Sequence, residues 1–193
     1  MQRFFWFCCV FLLFPLQPVW AQSALPKLLE GAKSQVGVTL YYDPTYTQIS
    51  YPMGDVPLER GVCTDVIIRA FRRAGVDLQV LVHQDMQRHF SKYPKMWGLK
   101  STDRNIDHRR VPNLMTFFQR QGKAVELSQK AKDYQAGDVV AWMLPNGLHH
   151  IGLVSDRNSA DGLRPLVVHN IGAGAREEDI LFEYKIIGHY RYF

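Results

Sequence analysis

The stretch GDVVAWMLPNGLHHIGLVS, residues 137–155, gives the strongest prediction for the fold of the second half of this chain. It holds two apolar runs separated by Pro145-Asn146-Gly147, a combination typical of two antiparallel strands joined by a hairpin turn. Further apolar runs bounded by turn residues follow, and the predicted strands cover residues 139–142, 150–155, 166–169 and 186–192. The second half of the chain therefore predicts an antiparallel meander.

The first half of the chain has helical periodicity instead, with apolar residues three or four positions apart. The predicted helices cover residues 24–36, 64–74, 77–90 and 114–121. Helices that precede the strands, rather than alternating with them, are typical of an α+β fold. We therefore expect one domain, residues 22–193, in which N-terminal helices pack on a C-terminal antiparallel β-sheet.

The N-terminus has the pattern of a secretory signal peptide, residues 1–21. Arg3 precedes an apolar stretch at residues 4–16, and Val19-Trp20-Ala21 ends in a small residue. An uncleaved anchor is the alternative, but the apolar stretch is shorter than the roughly 20 residues that a membrane-spanning helix needs. We therefore expect a periplasmic or secreted protein without stable membrane insertion after cleavage.

The overall charge bears on possible partners. The net charge is +5, and the sequence has no long lysine run and no nucleic-acid-binding motif. A basic exported domain suits an anionic polymer such as the cell wall. We expect a monomer with no nucleic-acid partner.

Cys63 is the lone cysteine outside the predicted signal peptide, which contains Cys8 and Cys9. It stands at the start of a predicted helix, where the helix dipole favours a thiolate, and we expect an exposed, reactive thiol. His150 and His169 follow on two predicted strands. A thiol at a helix start, a histidine on a strand and a polar partner on the next strand form the order of parts in a papain-like thiol hydrolase. An inert core cysteine is the alternative.

Two sets of motifs carry a family resemblance. The strands that begin at Gly137-Asp138 and at His150-Ile151-Gly152 resemble those of the NlpC/P60 cysteine peptidases. The segments Gly61–Val66 and Ile106–Leu114 resemble DUF1287, a bacterial family of unknown function in the same superfamily, and this match covers nearly the whole chain after the signal peptide. The resemblance implies an NlpC/P60-like papain-type fold. It also implies a substrate among peptidoglycan stem peptides or their amide link to sugar.

The resemblance assigns roles by position. Cys63 would be the nucleophile, His150 the general base and His169 the residue that orients His150. His149 is the alternative base and Asn170 the alternative orienting residue, although neighbours on a strand point to opposite faces. NlpC/P60 peptidases usually have Asp before the cysteine and Ser-Gly after it. This chain has other residues there, so its substrate contacts should differ.

Other residues are candidates for oxyanion or substrate binding. Tyr51 could join the Cys63 backbone N–H as an oxyanion donor, as an upstream tyrosine does in some superfamily members. The charged run at residues 103–113 contains arginines that could bind a substrate carboxylate in a bidentate fork, unless it is a structural loop. We expect this loop to border the site with at least one arginine facing it. The candidate substrate-binding residues are Asp65, His108, Arg109, Arg110 and Asn170.

The interpretation is a secreted hydrolase that cleaves an amide bond, in peptidoglycan peptides, through an acyl-enzyme on Cys63. An acyltransferase or transglutaminase-like enzyme would form the same thioester, and only the shape of the pocket selects the acceptor. A non-catalytic cell-wall-binding module is a second alternative. A zinc site is a third, but there is no His-Glu-x-x-His motif, so neither a metal nor another cofactor is expected.

Overall fold

The computed structural model describes residues 19–193. The predicted signal peptide lies outside the described residues except for its last three positions. None of the helices in the described part of the chain is both long enough and apolar enough to cross a membrane.

Four α-helices lie within residues 19–193, all before the main sheet. They are α1 (Val19–Lys33), α2 (Cys63–Arg73), α3 (Leu78–His89) and α4 (Val111–Arg120). The predicted helix at residues 114–121 begins earlier in the structure because Pro112 lies in its first turn, where a missing N–H breaks no helical hydrogen bond.

The strands form two separate ladders. They are β1 (Tyr41–Tyr42), β2 (Arg60–Gly61), β3 (Val139–Met143), β4 (His149–Asn158), β5 (Pro165–Asn170), β6 (Ala175–Glu178) and β7 (Lys185–Tyr190). β1 and β2 pair in parallel, whereas the other five form an antiparallel sheet in the order β6-β5-β4-β3-β7. The predicted α+β fold, with helices packed on a C-terminal antiparallel sheet, is confirmed.

The sequence did not predict β6. Its residues Ala175-Arg176-Glu177-Glu178 lack the apolar alternation of a half-buried strand. β6 lies at the edge of the sheet beside β5, where charged side chains are common because one side of the strand faces no partner. His169 pairs with Arg176, which makes Glu178 its diagonal neighbour on the same face.

The main core lies between α2 and the sheet. α2 packs against β4 and β5 and buries Ile67, Ala70 and Phe71, which share one apolar cluster with Leu153 and Val168 of those strands. This packing brings the N-terminus of α2 to the strands that carry the two candidate histidines.

Candidate active site

Cys63 is the first residue of α2 and directly follows β2. The backbone of Val62 is extended, and its N–H donates a 2.6 Å hydrogen bond to Oδ2 of Asp65 in the first turn. A Cβ at Gly61 would lie 2.9 Å from the same carboxylate oxygen, so a larger residue here would displace the Asp65 side chain. The chain therefore enters the helix in one geometry, which fixes the position of the thiol.

Cys63 and His150 line the same cavity, which has a volume of about 580 Å³. Tyr42, Trp97, Arg110 and His149 are among its other walls. Among the described residues, no three His, Cys, Asp or Glu side chains are grouped so that they could hold a metal ion.

The expectation of an exposed thiol is wrong, because Cys63 is only 3% exposed. Burial raises the pKa of the Cys63 thiol to about 12, against a hydrogen bond from the backbone of Ile151 that acts in the opposite direction. The helix dipole contributes only about 0.3–1 kcal/mol in favour of an anion, less than the desolvation of a buried thiolate. Cys63 at rest is therefore a thiol rather than a thiolate.

Two histidines and a carboxylate form a hydrogen-bonded chain. Nε2 of His150 lies 3.0 Å from Nδ1 of His169, and Nε2 of His169 lies 3.0 Å from Oε2 of Glu178. A carboxylate only accepts hydrogen bonds, so Nε2 of His169 carries the proton and its Nδ1 is an acceptor. His150 then donates through Nε2–H, which leaves the lone pair on its Nδ1.

The imidazole of His150 is buried and neutral. Burial lowers the pKa of His150 to about 3, and a proton on His169 would act in the same direction. Burial also lowers the pKa of His169, although Glu178 acts in the opposite direction. The fully buried indole of Trp142 stacks on His150 with ring centroids 5.8 Å apart, and its Nε1 donates a 3.0 Å hydrogen bond to the carbonyl oxygen of Leu181. The ring of His150 is thus held from two sides.

Tyr51, the predicted oxyanion donor, does not line the cavity, and this expectation is corrected. Its ring packs edge-on against His83 of α3, with centroids 5.4 Å apart. Tyr42 lines the cavity instead, because its pairing with Gly61 in the β1–β2 ladder sets it beside the start of α2. Tyr42 is still 40% exposed, and its partial burial, followed by the nearby Cys63, raises the pKa of its hydroxyl to about 12. The sequence around Tyr41 suggested extended chain, but a two-residue strand is too short to show a period of two, so the pattern did not place Tyr42 at the site.

Arg109 lines the cavity, but its guanidinium is occupied. Its Nε lies 2.8 Å from Oδ1 of Asp65 and its Nη2 lies 2.9 Å from Oδ2, in a bidentate pair that is almost completely buried. Thr64 donates a 2.9 Å hydrogen bond to the carbonyl oxygen of Arg109. These contacts tie the loop before α4 to the first turn of α2. Asp65, which does not line the cavity, is therefore a structural residue rather than a substrate contact.

His108 and Asn170 also do not line the cavity, contrary to expectation. His108 is buried, and burial lowers its pKa to about 3, so it is neutral. Asn170 donates through Nδ2 to the carbonyl oxygens of Gly61, at 3.0 Å, and Tyr41, at 3.3 Å. It therefore connects β5 to both strands that lead to Cys63, and it does not orient His150.

Comparisons with known proteins agree with the whole-chain resemblance. The family model described as a domain of unknown function, DUF1287, matches residues 29–192. The uncharacterized protein YijF of Escherichia coli strain K12 is 60% identical over 166 residues, which covers 86% of this chain and 80% of the relative. A crystal structure described as similar to lipoprotein, NLP/P60 family, from Staphylococcus aureus subsp. aureus Mu50 aligns at 12% identity with a TM-score of 0.43. That alignment covers 88% of this chain but 41% of the other, so this chain spans less than half of its length.

Proposed function

The chain belongs to the DUF1287 family, and we propose that it is an exported cysteine hydrolase that cleaves an amide bond through a thioester on Cys63. The observation that carries the proposal is the hydrogen-bonded chain from His150 through His169 to Glu178. The His150 end of this chain lies at the cavity that contains the thiol, and the hydrogen bonds leave the free lone pair of His150 on Nδ1. A neutral imidazole with a free lone pair, on the wall of the cavity that also contains the thiol, supports a catalytic role.

In the proposed first step, Nδ1 of His150 takes the thiol proton as Sγ of Cys63 attacks the amide carbonyl carbon. The imidazolium then gives the proton to the leaving amine while the C–N bond breaks, which leaves a thioester. Water attacks the thioester, loses a proton to His150, and the acid product and the thiol are released. His169 accepts the Nε2–H of His150 throughout, and Glu178 offsets the positive charge that develops on the pair.

Two groups could stabilise the tetrahedral oxyanion. The backbone N–H of Cys63 is at the first position of α2, where N–H groups have no intrahelical partner. The hydroxyl of Tyr42 is the proposed second donor, since Tyr42 lines the cavity and is close enough to Cys63 for its pKa to be affected. Hydrogen-bond donors at this point stabilise charge that exists only in the transition state.

The proposed substrate class is peptidoglycan peptides, in the periplasm or outside the cell. The resemblance to NlpC/P60 peptidases, the signal-peptide pattern and the net charge of +5 support it. The protein would act as a monomer without nucleic acid. An acyltransferase or transglutaminase-like enzyme remains the alternative, because it would use the same thioester with a different acceptor.

The test is mass spectrometry of purified peptidoglycan fragments after incubation with the protein. We expect fragments that have gained one water per cleaved bond, and no cleavage by the Cys63→Ala variant. His89→Ala, which changes an exposed histidine of α3, is the matched control and should cleave normally. Fragments joined to an added amine would support the acyltransferase. Unchanged fragments, or cleavage that survives Cys63→Ala, would exclude the proposed hydrolase.

A further inference from the structure

Arg110 differs from the other arginines that are not exposed. Within residues 19–193, each of the others pairs with a carboxylate; they are Arg69, Arg72, Arg109, Arg164 and Arg191. Arg110 has no such pair in the described part of the chain, and its Nη1 is buried without a hydrogen-bond partner. It nevertheless lines the cavity that contains Cys63.

An arginine in this state is an incomplete ion-pairing site. A guanidinium stays charged in proteins, so it cannot escape burial by losing its proton. Burial lowers the pKa of Arg110. The negative charges of Asp107 and Asp103 act in the opposite direction but do not outweigh burial, and neither residue forms an ion pair with Arg110. Leaving a charged donor unpaired costs free energy, and an anion that binds Arg110 from the cavity would offset part of this cost.

Trp97 orients this guanidinium. The Cζ atom of Arg110 lies 4.3 Å from the centroid of the indole ring, within the range of a cation–π contact. This contact holds one side of the guanidinium group against the indole and leaves the other side open to a ligand. A guanidinium held in this way suits a planar carboxylate, which can accept two parallel N–H bonds.

The rest of the cavity indicates what carries the carboxylate. Trp97, Ile106, Pro112 and Leu148 are among its apolar walls. Such a surface suits the aliphatic parts of a peptide better than a sugar, whose hydroxyl groups would lose their hydrogen bonds there. Arg109 does not compete for the ligand, because Asp65 occupies it.

We infer that Arg110 and Trp97 form a subsite for a free carboxylate close to the scissile amide, so that the enzyme selects acidic peptides. This inference rests on the proposed function and deepens it by naming the group that the substrate must carry. Arg110 would act as a specificity-determining residue, and Trp97 would position its guanidinium.

Binding tests the subsite without requiring turnover. The full chain carrying Cys63→Ala is titrated calorimetrically with two peptides. One is a peptidoglycan stem tripeptide with its glutamyl carboxylate free, and the other is the same tripeptide with that carboxylate amidated. We expect the free acid to bind about 10- to 100-fold more tightly, the effect of one charged hydrogen bond.

Variants in the same Cys63→Ala background show whether Arg110 causes the preference for the free acid. Arg110→Gln should abolish it, whereas Arg110→Lys should retain a part, because lysine keeps the charge but not the planar fork. Arg88→Gln, an exposed arginine of α3, is the control and should leave the preference intact. Circular dichroism checks that each variant is folded. If Arg110→Gln does not fold, the comparison uses Arg110→Lys instead.

The outcomes separate the subsite from the catalytic proposal. Equal affinity for the two peptides, no binding of either, or a preference that persists in Arg110→Gln overturns the subsite. If the protein with Cys63 cleaves both peptides at equal rates, the hydrolase stands and the subsite fails. If binding is selective but neither peptide is cleaved, the subsite stands and the hydrolase fails.

Discussion

Nε2 of His169 on β5 lies 3.0 Å from Oε2 of Glu178 on β6. This contact assigns the proton on His169, and through it the proton on His150, because a carboxylate can only accept. An edge strand of charged residues therefore determines which nitrogen of the candidate base is free. Glu178 is expected to act through the two histidines and not by contact with substrate.

The Glu178→Gln variant tests this positioning role. An amide can donate as well as accept, so His169 is no longer held in one tautomer, and kcat should fall at least about tenfold with KM little changed. The readout is kcat and KM on the peptide that the protein cleaves. Glu177→Gln, on the other face of β6, is the control and should keep its kcat. A rise in KM alone would place Glu178 in substrate binding instead.

The two adjacent histidines should differ sharply. His150→Ala removes the general base and should lower kcat by about 10²–10⁴-fold. His149→Ala should keep most of the activity, because it is His150 that bonds to His169. Turnover of each variant is compared after circular dichroism has shown native secondary structure. Greater loss in His149→Ala would reverse the assignment of the base.

The reactivity of Cys63 should follow its burial. With the pKa of the thiol raised to about 12 and only 3% of the residue exposed, alkylation by iodoacetamide at pH 7 should be slow and should accelerate as the pH rises. His150→Ala should slow it further, since the imidazole is the expected proton acceptor. Rates are followed by mass spectrometry. A native thiol that is inert at every pH and insensitive to His150 would favour the core-cysteine alternative.

The Asp65–Arg109 pair should be important for stability. Its side chains are 4% and 2% exposed, so either Asp65→Asn or Arg109→Gln leaves a buried group without its partner, at a cost of about 3–5 kcal/mol. Urea unfolding measures this, and the double variant should lose less than the sum of the two. The exposed pair between Arg73 and Glu30 is the control, and breaking it should change stability little. Additive losses would mean that the two residues act independently.

Asp138 should make the free energy of unfolding depend on pH in the acid range. Burial alone would raise its pKa, but hydrogen bonds from Arg191 and His189 outweigh burial and lower it. A carboxyl group whose pKa is lower in the folded state stabilises the protein above its unfolded pKa. That contribution is lost as the pH falls below about 5 and through the folded pKa. Urea unfolding between pH 3 and pH 7 should show this loss in the wild type and a weaker one in Asp138→Asn. Parallel curves would exclude Asp138 as the cause.

The elements of the fold were predictable where the signal is local. α2 has apolar residues at helical spacing because the face that carries them is buried, and β3 and β4 contain continuous apolar runs because both of their faces are buried there. Periodicity in the sequence reflects such burial directly. The same local patterns placed Cys63 at a helix start and the two histidines on strands. β6 was not predicted, because an edge strand need not be apolar.

Spacing and motifs in the sequence express directly the α+β class, the family resemblance and the candidate cysteine and histidine residues. The tertiary structure is needed to show that Glu178 completes the histidine chain and that Tyr42 rather than Tyr51 lines the cavity. It also shows that, among the described residues, Arg110 has no ion-pair partner whereas Arg109 has one. These relationships depend on strand register and on packing between segments distant in the chain. Burial of the thiol is likewise a property of the packed structure, since desolvation depends on everything that surrounds the sulfur.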